Sequence, residues 1–293
     1  WERADYFKPT PDFVEDYGYR YTNVHELVAA EVARVQNHVS LAEVNGFNRI
    51  EITGPGARDW LDYMICSRVP RKIGKLGLGY LLNDYGNVKA EATIANLPDG
   101  RIWYGSAAAA EFHDLDWLSK HLPKDGSVTL RSLTNDHTIL VLAGPKSRAV
   151  LSACDRGDCS AAGFPWLSVR EARIGHAPAI VMSVSFSGEL AYEIHLPNSA
   201  LFAAYSALMR AGAAHDIGHF GARAVDSMRM EKGYLHWKSD LITEFDPYET
   251  GLDRFVCRDK DFLGKAALMA RGDKKRRQLR MLEIDATHAS PQP

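Results

Sequence analysis

The sequence has few cysteines, and their spacing defines no site. Four cysteines occur in 293 residues, and no two of them have the CxxC spacing of a zinc or redox motif. This scarcity excludes a disulfide-stabilised scaffold and favours a reducing compartment. We therefore expect a cytoplasmic protein, or a mitochondrial matrix protein if the source is eukaryotic.

Long apolar runs and an excess of charge of one sign are also absent. No stretch approaches the roughly 18 consecutive apolar residues that a membrane helix needs. Lys plus Arg number 35 and Asp plus Glu number 37, so the formal net charge is only −2. These features predict no nucleic-acid partner and no membrane partner, and they favour small molecules or other proteins.

The common catalytic motifs are missing as well. The sequence contains no Walker loop and no GxSxG nucleophile elbow. The glycine-rich residues 74–79 have the wrong spacing for a dinucleotide fingerprint, and we interpret them as a turn. His215 and His219 lack a third ligand nearby, so we predict a surface pair and no metal site.

One short segment occurs twice. Residues 50–58, IEITGPGAR, resemble residues 140–148, LVLAGPKSR. In each copy an apolar run ends on Gly-Pro, where glycine allows a tight exit from a strand and proline suits the first turn of a helix. We therefore predict two strand-turn-helix units from a duplication, and chance similarity of two common turns is the alternative.

Hydrophobic periodicity predicts a mixture of helices and strands. Helical patterns cover residues 24–38, 107–121, 199–214 and 222–232. Strand patterns cover residues 78–82, 88–94, 102–105, 128–133, 167–174, 179–185 and 191–196. Because helix and strand do not alternate regularly, we predict an α+β fold of two intertwined lobes, in which antiparallel sheets carry helices on one face.

Two glutamates within apolar strands are candidates for chemistry. Glu91 shares a predicted strand face with Lys89 and Thr93, a pattern that an exposed polar face explains more simply. Glu193 directly follows Tyr192 on a strand that comes after a turn. Its position fits a ligand-facing carboxylate and a solvent-facing one about equally well.

These segments, in this order, resemble the folate-binding domain of the glycine-cleavage T-protein family. The likeness is closest to the branch that is fused to flavin domains in dimethylglycine and sarcosine dehydrogenases. It rests on residues 1–7, 54–55, 82–88, 140–145 and 187–193. The most specific part is DSMRMEKGYLHW at residues 226–237, continuing to residues 251–256. The resemblance covers nearly the whole chain.

The resemblance implies a division of the chain. Residues 1–271 would form the folate-binding aminomethyltransferase-like domain, with an inserted lobe at about residues 50–137. Residues 272–293 would form a linker and, at 279–284, the first strand of a truncated C-terminal β-barrel. A flavin domain that carries FAD would be the missing N-terminal neighbour, or a partner subunit.

The resemblance also implies roles for single residues. Glu193 matches the family glutamate that hydrogen-bonds the pterin ring of tetrahydrofolate, whose paired amino and N–H donors suit a bidentate acceptor. Glu91 falls at the position of the catalytic aspartate, and Thr93 matches a threonine on the pterin side. Tyr192, beside Glu193, is expected to help fix the pterin.

Several positions depart from the family pattern. Glu91 replaces the usual aspartate, and the extra methylene moves a carboxylate whose position matters for catalysis. Leu78 stands where flavin-fused relatives have tyrosine, and Tyr80 on the same strand face is the expected substitute. Arg223 is the expected replacement for a tail-binding arginine. Phe186 stands where many relatives have tyrosine.

The implied function is one-carbon transfer. A flavin domain would oxidise an N-methylamine such as dimethylglycine or sarcosine to an iminium, and tetrahydrofolate bound here would capture the carbon as 5,10-methylenetetrahydrofolate. Glu91 would stabilise the cationic iminium and assist proton removal. The alternatives are a non-catalytic folate-binding or regulatory domain, and a folate-dependent O- or S-demethylase of the same family.

Overall fold

Two β-sheets carry the fold in a computed structural model that describes residues 2–272 and 277–286. The six-stranded sheet contains β1 (Ser40–Glu43), β7 (His137–Ala143), β8 (Val169–Ile174), β9 (Ala177–Met182), β10 (Ala191–Pro197) and β11 (Gly218–His219). The five-stranded sheet contains β2 (Ile50–Thr53), β3 (Lys75–Leu82), β4 (Val88–Asn96), β5 (Ile102–Gly105) and β6 (Thr129–Ser132). The strand orders are β11-β1-β7-β10-β9-β8 and β3-β4-β5-β2-β6.

Helices cover one face of the five-stranded sheet and parts of both faces of the six-stranded sheet. They are α1 (Asn23–Asn37), α2 (Ala57–Met64), α3 (Glu111–Lys120), α4 (Ser147–Cys154), α5 (Leu201–Gly212), α6 (Ala222–Glu231) and α7 (Lys265–Arg271). Short 3-10 turns occur at Ala108–Ala110, Asn198–Ala200, Ala213–His215 and Asp253–Phe255. In the part of the chain that the structure describes, no helix combines the length and apolarity required to cross a bilayer.

The chain order intertwines the two lobes. All strands of the five-stranded sheet lie between β1 and β7, which are neighbours in the other sheet. The predicted α+β fold with two sheets and helices is confirmed. Its pairing is antiparallel throughout except for β1 and β11, which run parallel.

The repeated Gly-Pro segment forms the same local structure twice, as β2-turn-α2 and β7-turn-α4. Gly54 and Gly144 both have a positive φ, 110° and 119°, which a side chain would disfavour. Two residues after each glycine, a backbone N–H donates to a neighbouring carbonyl, from Gly56 in the first copy and Lys146 in the second, both at 3.0 Å. The predicted strand-turn-helix pair is confirmed.

The core has a layer under each set of helices and a layer between the sheets. Helices α4 and α5 pack on the six-stranded sheet, and α2 and α3 pack on the five-stranded one. The remaining faces meet through Leu76, Ala95 and Trp103 from one sheet and Val169 and Met182 from the other. We call this contact the interlobe layer. Because both faces of each sheet are partly buried, polar groups in this layer are shielded from water.

One local prediction was wrong. Residues 74–79 do not form a turn, because β3 begins at Lys75 and only Gly74 has a turn-like φ of 76°. Gly79 lies inside the strand, where a Cβ would approach Ile94 Cγ1 to 2.9 Å. Its small size therefore serves close packing of the sheet on its neighbours.

The alternating run at residues 279–284 forms no strand within the described segment 277–286. The Leu279 N–H donates to the Glu249 carbonyl at 3.0 Å. An alternating pattern needs a partner strand, and the apolar side chains of Leu282 and Ile284 stay exposed here. The described residues do not include residue 1. They also do not include residues 273–276 and 287–293, which belong to the predicted linker and barrel start.

Candidate functional site

Strand alternation places the predicted site residues on the faces where the sheets meet. In β4, Glu91 and Thr93 point away from the helices, and the β3 register sets Tyr80 opposite Glu91 and Leu78 opposite Thr93. In the other sheet, Glu193 on β10 points toward them. The structure thus brings residues from two lobes to one region.

Thr93 and Glu193 line the same narrow crevice between the sheets, which we call the interlobe crevice. Its walls combine apolar side chains with a few polar ones and consist of Phe47, Asn48, Arg49, Thr93, Trp103, Gly105, Ile139, Met182, Glu193 and His195. The cavity volume is only about 30 Å³, which is space for roughly two water-sized groups, so only the edge of a larger ligand would fit inside. Apolar walls with a few polar groups are typical of small-molecule sites.

Glu193 is held by a buried histidine. His195 Nε2 lies 3.3 Å from Glu193 Oε2, and the imidazole is 5% exposed. Burial lowers the pKa of His195, opposed by its hydrogen bond to Glu193. A neutral imidazole protonated on Nε2 therefore donates to the carboxylate, while the Trp103 ring packs 5.8 Å away.

Glu91 lies beside the crevice rather than in its wall. Glu91 precedes Thr93 by two residues on the same strand face, which separates the two by about 7 Å along the strand. Its carboxylate is hydrogen-bonded to Tyr80, and burial raises the pKa of Glu91 above its ordinary value. Tyr80 is 2% exposed, packed 5.0 Å from the Phe255 ring, and burial beside Glu91 raises its pKa as well. Tyr80 therefore contacts Glu91, and it is not part of the crevice wall.

Two predicted cofactor-binding residues lie elsewhere. Tyr192 alternates to the opposite face from Glu193, where it is fully buried in the core and stacked 5.6 Å from Phe164. Arg223 on α6 bonds Glu15 at 3.1 Å and covers the Tyr6 ring at 5.3 Å. The structure therefore separates Tyr192 from the crevice and ties Arg223 to the N-terminal segment.

Arg49, the residue before β2, was missed by sequence reasoning. It is 2% exposed and lines the crevice, and its Nε and Nη1 have no hydrogen-bond partner among the described residues. Burial lowers the pKa of Arg49 to about 10, against the attraction of Glu193, so the guanidinium stays protonated at neutral pH. The sequence does place Arg49 and Glu51 on the same face of a strand, because strand residues alternate. Nothing in the sequence indicated that a second sheet covers that face.

A larger cleft of about 870 Å³ opens on the other side of Trp103 and His195 and is rich in arginine. Several of these arginines are already bonded: Arg101 to Glu51, and Arg170 to Asp155. Arg170 Nε and His137 Nδ1 in this cleft lack partners among the described residues. We place the candidate site in the interlobe crevice, because Glu193 and Thr93 meet there beside the unpartnered Nε and Nη1 of Arg49. No cluster of three or more His, Cys, Asp or Glu suited to a metal occurs in residues 2–272 and 277–286.

Comparison with known proteins identifies the family. The family described as "GCVT N-terminal domain" matches residues 1–260. The chain belongs to this family. One relative of this GCVT-domain chain is human mitochondrial dimethylglycine dehydrogenase, which is 30% identical over 94% of this chain. Another is the mouse mitochondrial pyruvate dehydrogenase phosphatase regulatory subunit, which is 31% identical over 83% of this chain.

These relatives are much longer proteins. The match covers 33% of dimethylglycine dehydrogenase and 28% of the regulatory subunit, so the chain spans about a third of their length. Among solved structures, the glycine cleavage system aminomethyltransferase T from Bartonella henselae is similar, with a TM-score of 0.76 and 21% sequence identity. The alignment covers 89% of this GCVT-domain chain and 72% of the Bartonella chain. That likeness establishes the fold. The chain is an aminomethyltransferase-type domain related to dimethylglycine dehydrogenase.

Proposed function

We propose that this chain is the tetrahydrofolate-binding, one-carbon-transfer domain of an enzyme that demethylates an N-methylamine such as dimethylglycine or sarcosine. The observation that carries the proposal is the meeting of Glu193 and Thr93 in one narrow crevice. They come from different lobes, and both stand at positions that the family resemblance assigns to the pterin. Arg49 adds unpartnered buried donors to the same crevice.

The residues of the crevice suit a flat ring with a polar edge. Glu193 presents a carboxylate held by His195, which can accept the paired N–H donors of a pterin. Trp103 and Met182 supply apolar walls for the ring faces. Buried polar groups without partners in this narrow crevice favour a ligand that supplies those partners.

Glu91 is the proposed catalytic group. Bound tetrahydrofolate would supply the nucleophilic nitrogen that captures the one-carbon unit, giving 5,10-methylenetetrahydrofolate. Beside that unit, Glu91 would stabilise the cationic iminium when ionised and accept the proton that the attacking folate amine loses, and the demethylated amine would leave as the methylene bridge closes. The raised pKa of Glu91 lies closer to neutral pH and suits proton transfer. Tyr80 would hold the carboxylate in place through their hydrogen bond.

The oxidising step belongs to another part of the enzyme in this proposal. A flavin domain with FAD, in cis or as a partner subunit, would generate the iminium, since this chain corresponds to a third of dimethylglycine dehydrogenase. Cytoplasmic or mitochondrial matrix location is proposed with it. The division into a folate-binding domain to residue 271 and a following barrel start also stays a proposal.

Calorimetric titration of tetrahydrofolate tests the binding function. We expect the full chain to bind it and Glu193→Gln to weaken binding about 10- to 100-fold, since a lost hydrogen bond to a charged group costs ~1.5–3 kcal/mol. Glu171→Gln, at an exposed carboxylate on β8, should bind like the wild type. Absence of binding to the wild-type chain would refute the proposed function.

A non-catalytic folate-binding or regulatory domain is the second candidate. It is favoured by the glutamate at position 91 and by the relative named as a regulatory subunit. Formaldehyde capture by tetrahydrofolate, measured above the uncatalysed rate, separates the two candidates. If Glu91→Asp lowers a real rate, Glu91 is a working catalyst; if the rate appears only in Glu91→Asp, the natural domain is a binder.

A further inference from the structure

Arg49 is a buried cation that forms no ion pair with a described residue, although the Glu193 carboxylate attracts it from a longer distance. None of the ion pairs within residues 2–272 and 277–286 includes it, and two of its three guanidinium nitrogens lack a hydrogen-bond partner. Its backbone is well held, with its N–H donating to Thr134 Oγ1 at 3.0 Å and its carbonyl accepting from Leu133 at 2.7 Å. The side chain is therefore positioned, yet its donors are unused.

Burying an arginine in this state is costly. Moving a charge out of water is compensated only when it is paired and hydrogen-bonded. Glu51, on the same strand face, does not serve this purpose, because it already bonds Arg101 and the Trp103 indole N–H. A group that remains unsatisfied in the free protein and lines a crevice points to a bound acceptor.

The other polar groups of the crevice limit what that acceptor is. The Asn48 side chain is fully engaged, donating to Ser106 Oγ at 2.7 Å and accepting from the Ser106 N–H at 2.9 Å. His195 is bonded to Glu193. The groups left for a ligand are the donors of Arg49, the remaining acceptor capacity of Glu193 and His195 Nδ1, which has no hydrogen-bond partner among the described residues.

We propose that Arg49 and Glu193 together bind the lactam edge of a bicyclic ring, with Arg49 donating to the ring carbonyl and Glu193 accepting from the neighbouring N–H and amino groups. This inference rests on the proposed folate function and makes Arg49 a specificity-determining residue. A buried donor favours a carbonyl and rejects an amino group at the same ring position, because the Arg49 donor and the new amino group would both be left unpaired.

Folic acid and aminopterin test this together with Arg49 variants. Aminopterin carries an amino group in place of the ring carbonyl and lacks the neighbouring ring N–H, so the change in preference caused by an Arg49 substitution isolates the part that Arg49 contributes. We expect the wild-type chain to bind folic acid at least about 10-fold more tightly than aminopterin, in line with the cost of leaving a buried polar group unpaired. Arg49→Met should lower that preference about 10-fold, and Arg49→Lys should keep part of it. Titration by calorimetry supplies the dissociation constants.

A second measurement separates a binding role from a structural one. If Arg49 awaits a ligand, Arg49→Met removes an unpaired buried charge, and the unliganded chain should melt about 2–4 °C higher. Arg131→Met is the matched control, because Arg131 lies on the neighbouring strand β6 with its side chain 66% exposed. It should change neither the melting temperature nor the preference for folic acid.

The outcomes distinguish this inference from the function on which it rests. Binding of folic acid and aminopterin with equal affinity by the wild-type chain would overturn the role of Arg49 and leave folate binding intact. A lower melting temperature of Arg49→Met with an unchanged preference would also overturn it, since Arg49 would then be structural. Failure of the wild-type chain to bind either compound would refute the proposed function itself.

Discussion

At the scale of single residues, side-chain direction decides which groups meet. Glu193 and Tyr192 are adjacent in the sequence, yet successive strand residues point to opposite faces. The carboxylate consequently faces the other lobe and the phenol stacks on Phe164 in the core. The same alternation brings Glu91 under Tyr80 on the face shared with Thr93.

The protonation of Glu91 should be visible in the pH dependence of stability. Because burial raises its pKa, the folded chain holds the proton more tightly than the unfolded chain. The stabilisation is complete below the unfolded pKa and is lost as pH rises through the folded pKa. Glu91→Gln lacks this loss, so its free energy of unfolding relative to wild type should increase from pH 4 to pH 8, measured by urea denaturation.

The exposed Glu171 supplies the control for this titration. Glu171→Gln is measured in the same way, because its carboxylate lies exposed on β8 and an exposed substitution changes the free energy of unfolding little. A flat difference for Glu91→Gln would mean that Glu91 ionises as easily in the folded chain as in the unfolded one. Its proposed part in proton removal would then lose its physical basis.

At the scale of elements, the two Gly-Pro turns are the most repeated feature of the chain. A Cβ on Gly144 would lie 2.6 Å from the carbonyl oxygens of Val35 and His38, and one on Gly54 would lie 2.3 Å from the Ser127 oxygen. Both neighbours are backbone, which cannot rotate away. Each turn therefore needs glycine for its positive φ and for the close contact.

We expect Gly144→Ala to destabilise the chain strongly. The substitution combines a disfavoured φ of 119° with a backbone clash, and together these should cost about 2–4 kcal/mol. Gly100→Ala separates the two effects, since Gly100 has a φ of 86° and open space around its Cβ position. Its cost should be only about 1–2 kcal/mol. Thermal or urea unfolding measures both, and equal losses would contradict the role of the close contact.

At the scale of the whole molecule, the interlobe layer makes one unit of two sheets. Trp103 is 3% exposed at its centre, with its ring 5.6 Å from His137 and 5.8 Å from His195. It also separates the crevice from the larger arginine-rich cleft. The stability of the lobes and the shape of the candidate site therefore depend on the same side chain.

Trp103→Ala should weaken both folding and ligand binding. Removing a buried tryptophan costs about 3–5 kcal/mol, and it opens one wall of the crevice. Trp166→Ala is the comparison, because Trp166 is 54% exposed and should cost about 1 kcal/mol or less. Urea unfolding and tetrahydrofolate titration measure the two effects. Equal behaviour of the two variants would show that the interlobe layer contributes little.

Much of the fold follows from local pattern. Residues 24–38 and 222–232 form helices because their apolar residues recur with a helical period, and the Gly-Pro repeat specifies its turns through glycine and proline alone. The same logic misleads where a pattern needs a partner. Residues 279–284 alternate between apolar and polar side chains like a strand. They have no hydrogen-bonded neighbouring strand in the described segment, and they form no strand there.

The sequence by itself therefore determined the types of element, the α+β class and the strand face of Glu193, since these depend on periodicities of two and 3.6 residues. Only the tertiary structure decided that the five-stranded sheet covers that face. That packing buries Arg49 without a partner and joins Glu193 with Thr93 from the other lobe. Burial and the meeting of distant residues arise from the packing of one sheet on another, which no local pattern encodes.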